Sequence, residues 1–385
     1  MANVLAPKIS WEESRFGSKN VSYNTGGTRR SAIALTRPTE QASEPSPTSE
    51  IAGMRRVVIR GDGIAACCCA HLLRVAGFRV VQEKADRAKV PSIMLSQSTQ
   101  ALIAGVFERN DLFKDLPRIE KRIVVWGPGS KPIALPHSSV LVSEKDLSAR
   151  LLPGPLGDGQ ERDAEAEWVV LASRSLPPSA IEHHFGTRMA VALAVKVKDD
   201  SDASACWIES LEAGWLFLTP GWLLAVGSDP ESLLPQSRVV AAQIHETRST
   251  PLKFPAYPRV ADPLCGHGWL ACGTAALAFD PLCGDGVGNA IREAILAAAV
   301  IRAIAEGANV DGVLAHYRGR LLGGFTRHLE LCRQFYAAGN AGPWWDSELE
   351  QILKGIKWCG RKRETATRFR YRLNGFELQT IPDPA

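Results

Sequence analysis

Two glycine-rich turns hold the residues of this chain whose types and spacing suit chemistry. The first, Gly61-Asp62-Gly63-Ile64-Ala65-Ala66, reads G-x-G-x-x-A, and an acid, Glu83, follows twenty residues after Gly63. Gly61 permits a sharp turn from strand to helix. Gly63 lets a pyrophosphate approach bare backbone, and Ala66 allows helix and strand to pack closely. A helix starting at Ile64 and Ala65 turns unpaired N–H groups and a partial positive charge toward phosphates. Glu83 accepts hydrogen bonds from ribose 2′- and 3′-hydroxyls and repels a 2′-phosphate, which favours FAD or NAD over NADP. The hexad alone also fits a plain tight turn; the flanking strand, helix and acid decide for a dinucleotide. The second turn, Gly284-Asp285-Gly286-Val287-Gly288, leads into a long helical run from Asn289 to Glu306, so again a helix N-terminus faces something electron-rich.

The elements that position these turns are legible around them. Arg56 to Arg60 is a β-branched apolar run of the kind found in buried parallel strands. Ala65 to Val75 is helical and Gly77 suits its C-cap; Phe78 to Gln82 completes a βαβ unit. Lys121 to Trp126 and Trp168 to Ala172 predict further strands, the second returning to the dinucleotide-binding sheet. From Ala190 to Val226 the texture turns to β, with four apolar runs at intervals of roughly ten residues, as in an antiparallel sheet. Its Trp207, Trp215 and Trp222 suit either the wall of a substrate pocket or ordinary sheet-face packing; Phe217 lies between the last two. The expected architecture is therefore α/β: a Rossmann-like FAD-binding domain (54–175 and 262–310), an inserted antiparallel β-sheet substrate domain (176–261), C-terminal helices (311–359) and a solvated basic tail (360–385).

Composition narrows the function classes. The 385 residues are 45% hydrophobic and 22% charged, enough for a large core, and the net charge of +4 gives no reason to expect a nucleic-acid partner. Nine cysteines without paired C-x-x-C spacing suggest reduced thiols in a cytoplasmic enzyme. Adjacent Cys67, Cys68 and Cys69 point three ways on a helix, which suits packing and not a shared metal. His183-His184 has no partner at ligand spacing, so no metal is expected. No apolar run reaches the length of a membrane span. Residues 1–53, rich in Ser, Thr, Pro, Glu and Gly, read as a disordered tail or as an extension upstream of a start at Met54.

The stretch GWLACGTAALAFDPLCGDGVGNAIREA, Gly268 to Ala294, resembles the flavin motif of FAD-dependent monooxygenases, in particular the tryptophan-halogenase-like branch. GWLFLTP, Gly214 to Pro220, looks like a divergent form of that branch's Gly-Trp-x-Trp-x-Ile-Pro motif, with Phe217 at the second tryptophan. The resemblance spans about residues 54 to 335. It implies FAD, with Gly61, Gly63, Ile64, Ala65, Ala66 and Glu83 on its ADP half and Thr274 where the family carries a ribityl-binding aspartate. Asp280 and Pro281 flank the isoalloxazine, and Gly284 with the N–H groups of Gly286, Val287 and Gly288 faces its N1/O2 edge. Glu144 stands where the family often has an arginine. The halogenases' tunnel lysine has no firm counterpart; Lys121 is the nearest, with Arg122 competing. Cys283 and Asp285 are further weak candidates for catalysis.

The compact length and the C-terminal CRQFYAAG and GPWW segments are also similar to short flavoproteins that mature tryptophylquinone amine dehydrogenases and oxidases. This implies a monooxygenase that hydroxylates an electron-rich aromatic through a flavin C4a-hydroperoxide, the substrate being an aromatic small molecule or a tryptophan of a partner polypeptide. With one G-x-G-x-x-A hexad, the reductant is expected from transient NAD(P)H or a separate flavin reductase. A halogenase, an FAD-dependent reductase or dehydrogenase, and a non-catalytic FAD-bearing assembly factor remain alternatives.

Overall fold

The apolar run before Gly61 forms β1 (Arg56–Arg60), followed by α1 (Ile64–Val75) and β2 (Arg79–Glu83). Gly61, at φ +135°, makes the strand-to-helix turn, and a side chain there would press on the Ala172 backbone at 3.1 Å. Gly77, at φ +84°, ends α1, its N–H bonding back to the carbonyl of Arg74. The computed structural model describes residues 55–85, 87–151, 166–173, 176–248, 250–283, 285–364 and 371–381. The expectations for residues 1–53 and for Gly284 lie outside the described residues.

The chain continues through β3 (Ile93–Ser96), α2 (Gln97–Phe107), β4 (Arg118–Val125), β5 (Ile133–Val142), α3 (Glu144–Leu151), β6 (Trp168–Leu171) and β7 (Ile181–His184). Next come β8 (Met189–Val197), β9 (Ala205–Leu211), β10 (Gly214–Thr219), β11 (Trp222–Gly227), β12 (Ile244–Thr247), β13 (Leu252–Pro255) and β14 (Arg259–Asp262). Short strands β15 (Cys265–Gly266), β16 (Trp269–Ala271) and β17 (Leu277–Ala278) lead into α4 (Gly286–Ala305), α5 (Val310–Gly339) and α6 (Pro343–Glu364). A hairpin of β18 (Tyr371–Asn374) and β19 (Glu377–Thr380) follows.

Four of the strands, β2, β1, β6 and β16, lie parallel in that order, and β15 adds an antiparallel edge. Val57 and Ile59 are fully buried there. Helices α1 and α4 pack against each other over this sheet, so both glycine-rich turns open on the same side. The larger, nine-stranded sheet runs β12-β8-β11-β10-β9-β4-β5-β3, with β13 also on β8. It recruits β3, β4 and β5 from the segment that sequence boundaries assign to the nucleotide-binding unit, β4 pairing parallel with β9. Strand pairing between distant segments leaves no local mark, which is why that recruitment is silent in the sequence.

The period of two sorts the faces of the large sheet. On β10, Leu216 and Leu218 enter a separate core with Val191, Leu193 and Trp207. Trp215 and Phe217 turn instead toward the main core, shared with α1, α4 and α5. The C-terminal segment departs from the expected solvated tail. Helix α6 runs on to Glu364, and the hairpin lays Tyr371, Leu373, Phe376 and Leu378 against the main core. Each arm of the hairpin turns two apolar residues inward, and Arg372, the one basic residue between them, stays exposed.

Candidate active site

One cavity of about 520 Å³ connects the two helix N-termini to the large sheet. Gly63, Ile64 and Ala65 border it at the start of α1, and Gly286 and Val287 at the start of α4. Gly273 and Thr274 border it between them. Opposite lies the sheet. Adjacent strands bring Ala192, Leu224, Phe217 and Ile208 into one row, while Trp222 and Thr219 stand in the next. Trp215 completes the aromatic wall, its Nε1–H 3.3 Å from the hydroxyl of Tyr336. Thus Trp215, Phe217 and Trp222 all reach the cavity, whereas Trp207 faces the other core.

The ends of the cavity differ in charge. At the α1 end, Arg87 is held by the buried Glu144, whose carboxylate accepts from the guanidinium Nη1 at 3.0 Å and from the N–H of Val90 at 2.9 Å. A Cβ on Gly63 would stand 2.8 Å from the Arg87 guanidinium. An arginine therefore does reach the first glycine-rich turn, supplied by the segment after β2 and oriented by the acid in the expected arginine's place. Ala66 is buried between α1 and its sheet. Glu83, at the end of β2, pairs with Arg60 at 3.2 Å with both side chains half exposed.

At the sheet end, Arg122 donates to Nε2 of His137 at 3.3 Å. Burial and the adjacent Arg122 push His137 down to about 4, so it is a neutral imidazole with its proton on Nδ1. Lys121 is turned away, paired with Asp202 at 2.7 Å on an exposed surface. The register irregularity between Ile119 and Lys121 shifts the phase of β4 and delivers Arg122 to the cavity in its place. Lys121 thus stands outside the cavity, and Arg122 lines it.

Below the second turn, Asp280 is 1% exposed and its carboxylate is fully engaged. It lies 2.6 Å from Nη2 of Arg188, accepts from Tyr336 Oη at 2.8 Å and from the N–H of Leu282 at 2.8 Å. Arg188 also pairs with the buried Glu348 of α6 and lies over the Tyr336 ring at 4.6 Å. This network fixes the Asp280-Pro281 corner and leaves Asp280 no free oxygen for chemistry. Asp285 is likewise engaged, accepting from Thr99 Oγ1 and from Arg292, each at 2.7 Å, and it folds over the Cα of Gly288. Asp285, the weak catalytic candidate at the start of α4, thus borders the cavity with its carboxylate paired. Cys283 turns from the cavity toward α5, where its Sγ lies 3.4 Å from that of Cys332. Cys283, His328 and Cys332 bring their ligand atoms within 4.8 Å of one another; the sequence spacing of 45 and four residues shows nothing of this.

Glu293 on α4 is buried at the cavity wall and accepts the N–H of Gly273 at 2.7 Å. Burial pushes its carboxyl up to about 8 against that one hydrogen bond, so it carries a proton near neutrality. The Thr274 hydroxyl donates to the carbonyl of Ala172 at 3.4 Å.

No family model and no curated protein matches the chain by sequence. Solved structures do. The peptidyl tryptophan dihydroxylase QhpG, essential for tryptophylquinone cofactor biogenesis, is 20% identical with a TM-score of 0.60 over 77% of this chain and 79% of its own. The flavin-dependent halogenase CmlS is 18% identical with a TM-score of 0.65 over 81% and 71%. The p-nitrophenol 4-monooxygenase PnpA of Pseudomonas putida DLL-E4 is 15% identical with a TM-score of 0.54 over 80% and 99%. The fold is that of flavin-dependent halogenases and monooxygenases.

The residues present fit an FAD in this fold. A bare Gly63 beside a guanidinium and a helix N-terminus suits a pyrophosphate. A second helix N-terminus at Gly286, where a Cβ would meet open space, suits an electron-rich ring edge. Among the described residues no helix is long and apolar enough to cross a membrane.

Proposed function

We propose that this protein is an FAD-dependent monooxygenase that hydroxylates an electron-rich aromatic ring, with an indole of a tryptophan-containing polypeptide as the preferred substrate. The observation that carries it is the continuity of one cavity from the two glycine-rich turns to a wall of Trp215, Phe217 and Trp222. When bound, reduced flavin supplies electrophilic oxygen drawn from O₂. Gly63, Arg87 and the start of α1 hold the diphosphate, with Glu83 at the ribose. Gly286, Val287 and Gly288 offer the N–H groups of the α4 N-terminus to the ring, on a corner that Asp280 and Arg188 keep rigid. The aromatic wall stacks the substrate and excludes water. Arg122 donates to a carbonyl or carboxylate oxygen of the substrate, which aligns its ring, and neutral His137 keeps that guanidinium in place.

Among the described residues the cations lining the cavity are arginines, Arg87 and Arg122, not the lysine that halogenases need to trap hypohalous acid, and this favours oxygenation over halogenation. The similarity to a peptidyl tryptophan dihydroxylase supports the polypeptide substrate. Electrons arrive from NAD(P)H bound transiently or from a flavin reductase. The test is to reduce the purified protein, add O₂ with a tryptophan-containing peptide, and weigh the peptide. A gain of one or two oxygen atoms on the indole is expected. Bromination of the peptide in bromide buffer would overturn the reading, and so would a protein that stays colourless after incubation with FAD.

A further inference from the structure

We propose that Cys283 and Cys332 are an oxidisable dithiol that closes to a disulfide and fastens the second glycine-rich turn to α5. Three distances carry it. The two sulfurs are 3.4 Å apart, and Sγ of Cys332 is 3.3 Å from Nε2 of His328, one helical turn earlier on α5. That same Nε2 accepts the N–H of Asp280 at 2.8 Å. A backbone amide can only donate, so Nε2 is unprotonated and its single lone pair is committed to that amide. The amide also occupies the position a cation would need, which favours a dithiol over a metal site built from the same three side chains.

The two cysteines have different tasks. Cys332 is wholly buried, whereas Cys283 is half-buried at the end of the turn Pro281–Cys283. Cys283 is therefore the sulfur that meets the oxidant, hydrogen peroxide, the two-electron product of O₂ reduction by a flavin. Its sulfur attacks the O–O bond, giving a sulfenic acid and one water. The sulfur of Cys332 then attacks the sulfenic sulfur of Cys283 and displaces its hydroxyl, which leaves with the Cys332 proton as a second water. Two thiols lose two electrons and two protons, and one peroxide becomes two waters. The new bond joins residues 49 apart in the chain and ties the Asp280–Leu282 wall of the cavity to α5. The thiol chemistry does not depend on the substrate assignment above.

Titrating the full-length protein with hydrogen peroxide, blocking free thiols with N-ethylmaleimide and mapping peptides by mass tests this. A dithiothreitol-reversible link between the peptides holding Cys283 and Cys332 is expected, with two of the nine thiols lost. Cys332→Ser should leave Cys283 as a dimedone-reactive sulfenic acid. Over-oxidation of Cys283 with Cys332 still free would overturn the proposal. So would stoichiometric zinc in the purified protein that Cys332→Ser abolishes.

Discussion

Replacing Arg188 is the sharpest test of how the cavity is held. Its side chain and that of Asp280 have no exposed surface, and Glu348 is 2% exposed. Arg188→Met keeps the volume and removes the one cation shared by two buried carboxylates. Breaking a buried pair by deleting one partner costs about 3–5 kcal/mol, because a charge is left without water or counter-ion. A loss of about 4 kcal/mol in urea unfolding at pH 7.5 is expected. The triple variant Arg188→Met, Asp280→Asn, Glu348→Gln removes the charge imbalance as well and should recover at least about 2 kcal/mol of that loss. A single variant that loses under about 1 kcal/mol, or a triple variant no better than the single, refutes the reasoning that charge and not packing holds this corner.

Glu293 gives a pH prediction with a definite sign. Its carboxyl ionises near 4.5 when unfolded and at about 8 when folded, so between these values the native state holds one proton more than the unfolded state. Stability should fall by up to about 1.4 kcal/mol per pH unit through that window, and Glu293→Gln should flatten the slope in unfolding curves from pH 5 to 8. Arg122→Met should lower kcat/KM for the peptide substrate by about tenfold to a hundredfold, the scale of one lost charged hydrogen bond, while Lys121→Met should change it less than twofold by the same scale. His137 sits at about 4 and stays neutral above pH 5, so the pH–rate profile should show no His137 ionisation between pH 6 and 7. Gly61→Ala forces a side chain into φ +135° against the Ala172 backbone, and should lower FAD affinity, read by fluorescence titration, together with the melting temperature.

The sequence by itself determined the parts whose physics is local. A strand, a glycine at positive φ, a helix N-terminus and an acid after β2 are consecutive in the chain, so their residue types announce the turn. The same holds for the start of α4, and the strict alternation on β10 and β11 puts Trp215, Phe217 and Trp222 on one face. Only the tertiary structure decided what depends on distant segments. The break in phase between Ile119 and Lys121 sends Arg122 inward, and pairing across the large sheet brings it beside His137. Arg188, Asp280, Tyr336 and Glu348 come from four separate segments, and their opposite charges are tolerable in the core only because they meet there. Cys283 and Cys332 become neighbours only once α5 packs beneath the second turn. Local backbone preference is written residue by residue, whereas burial and charge pairing exist only after the chain has closed on itself.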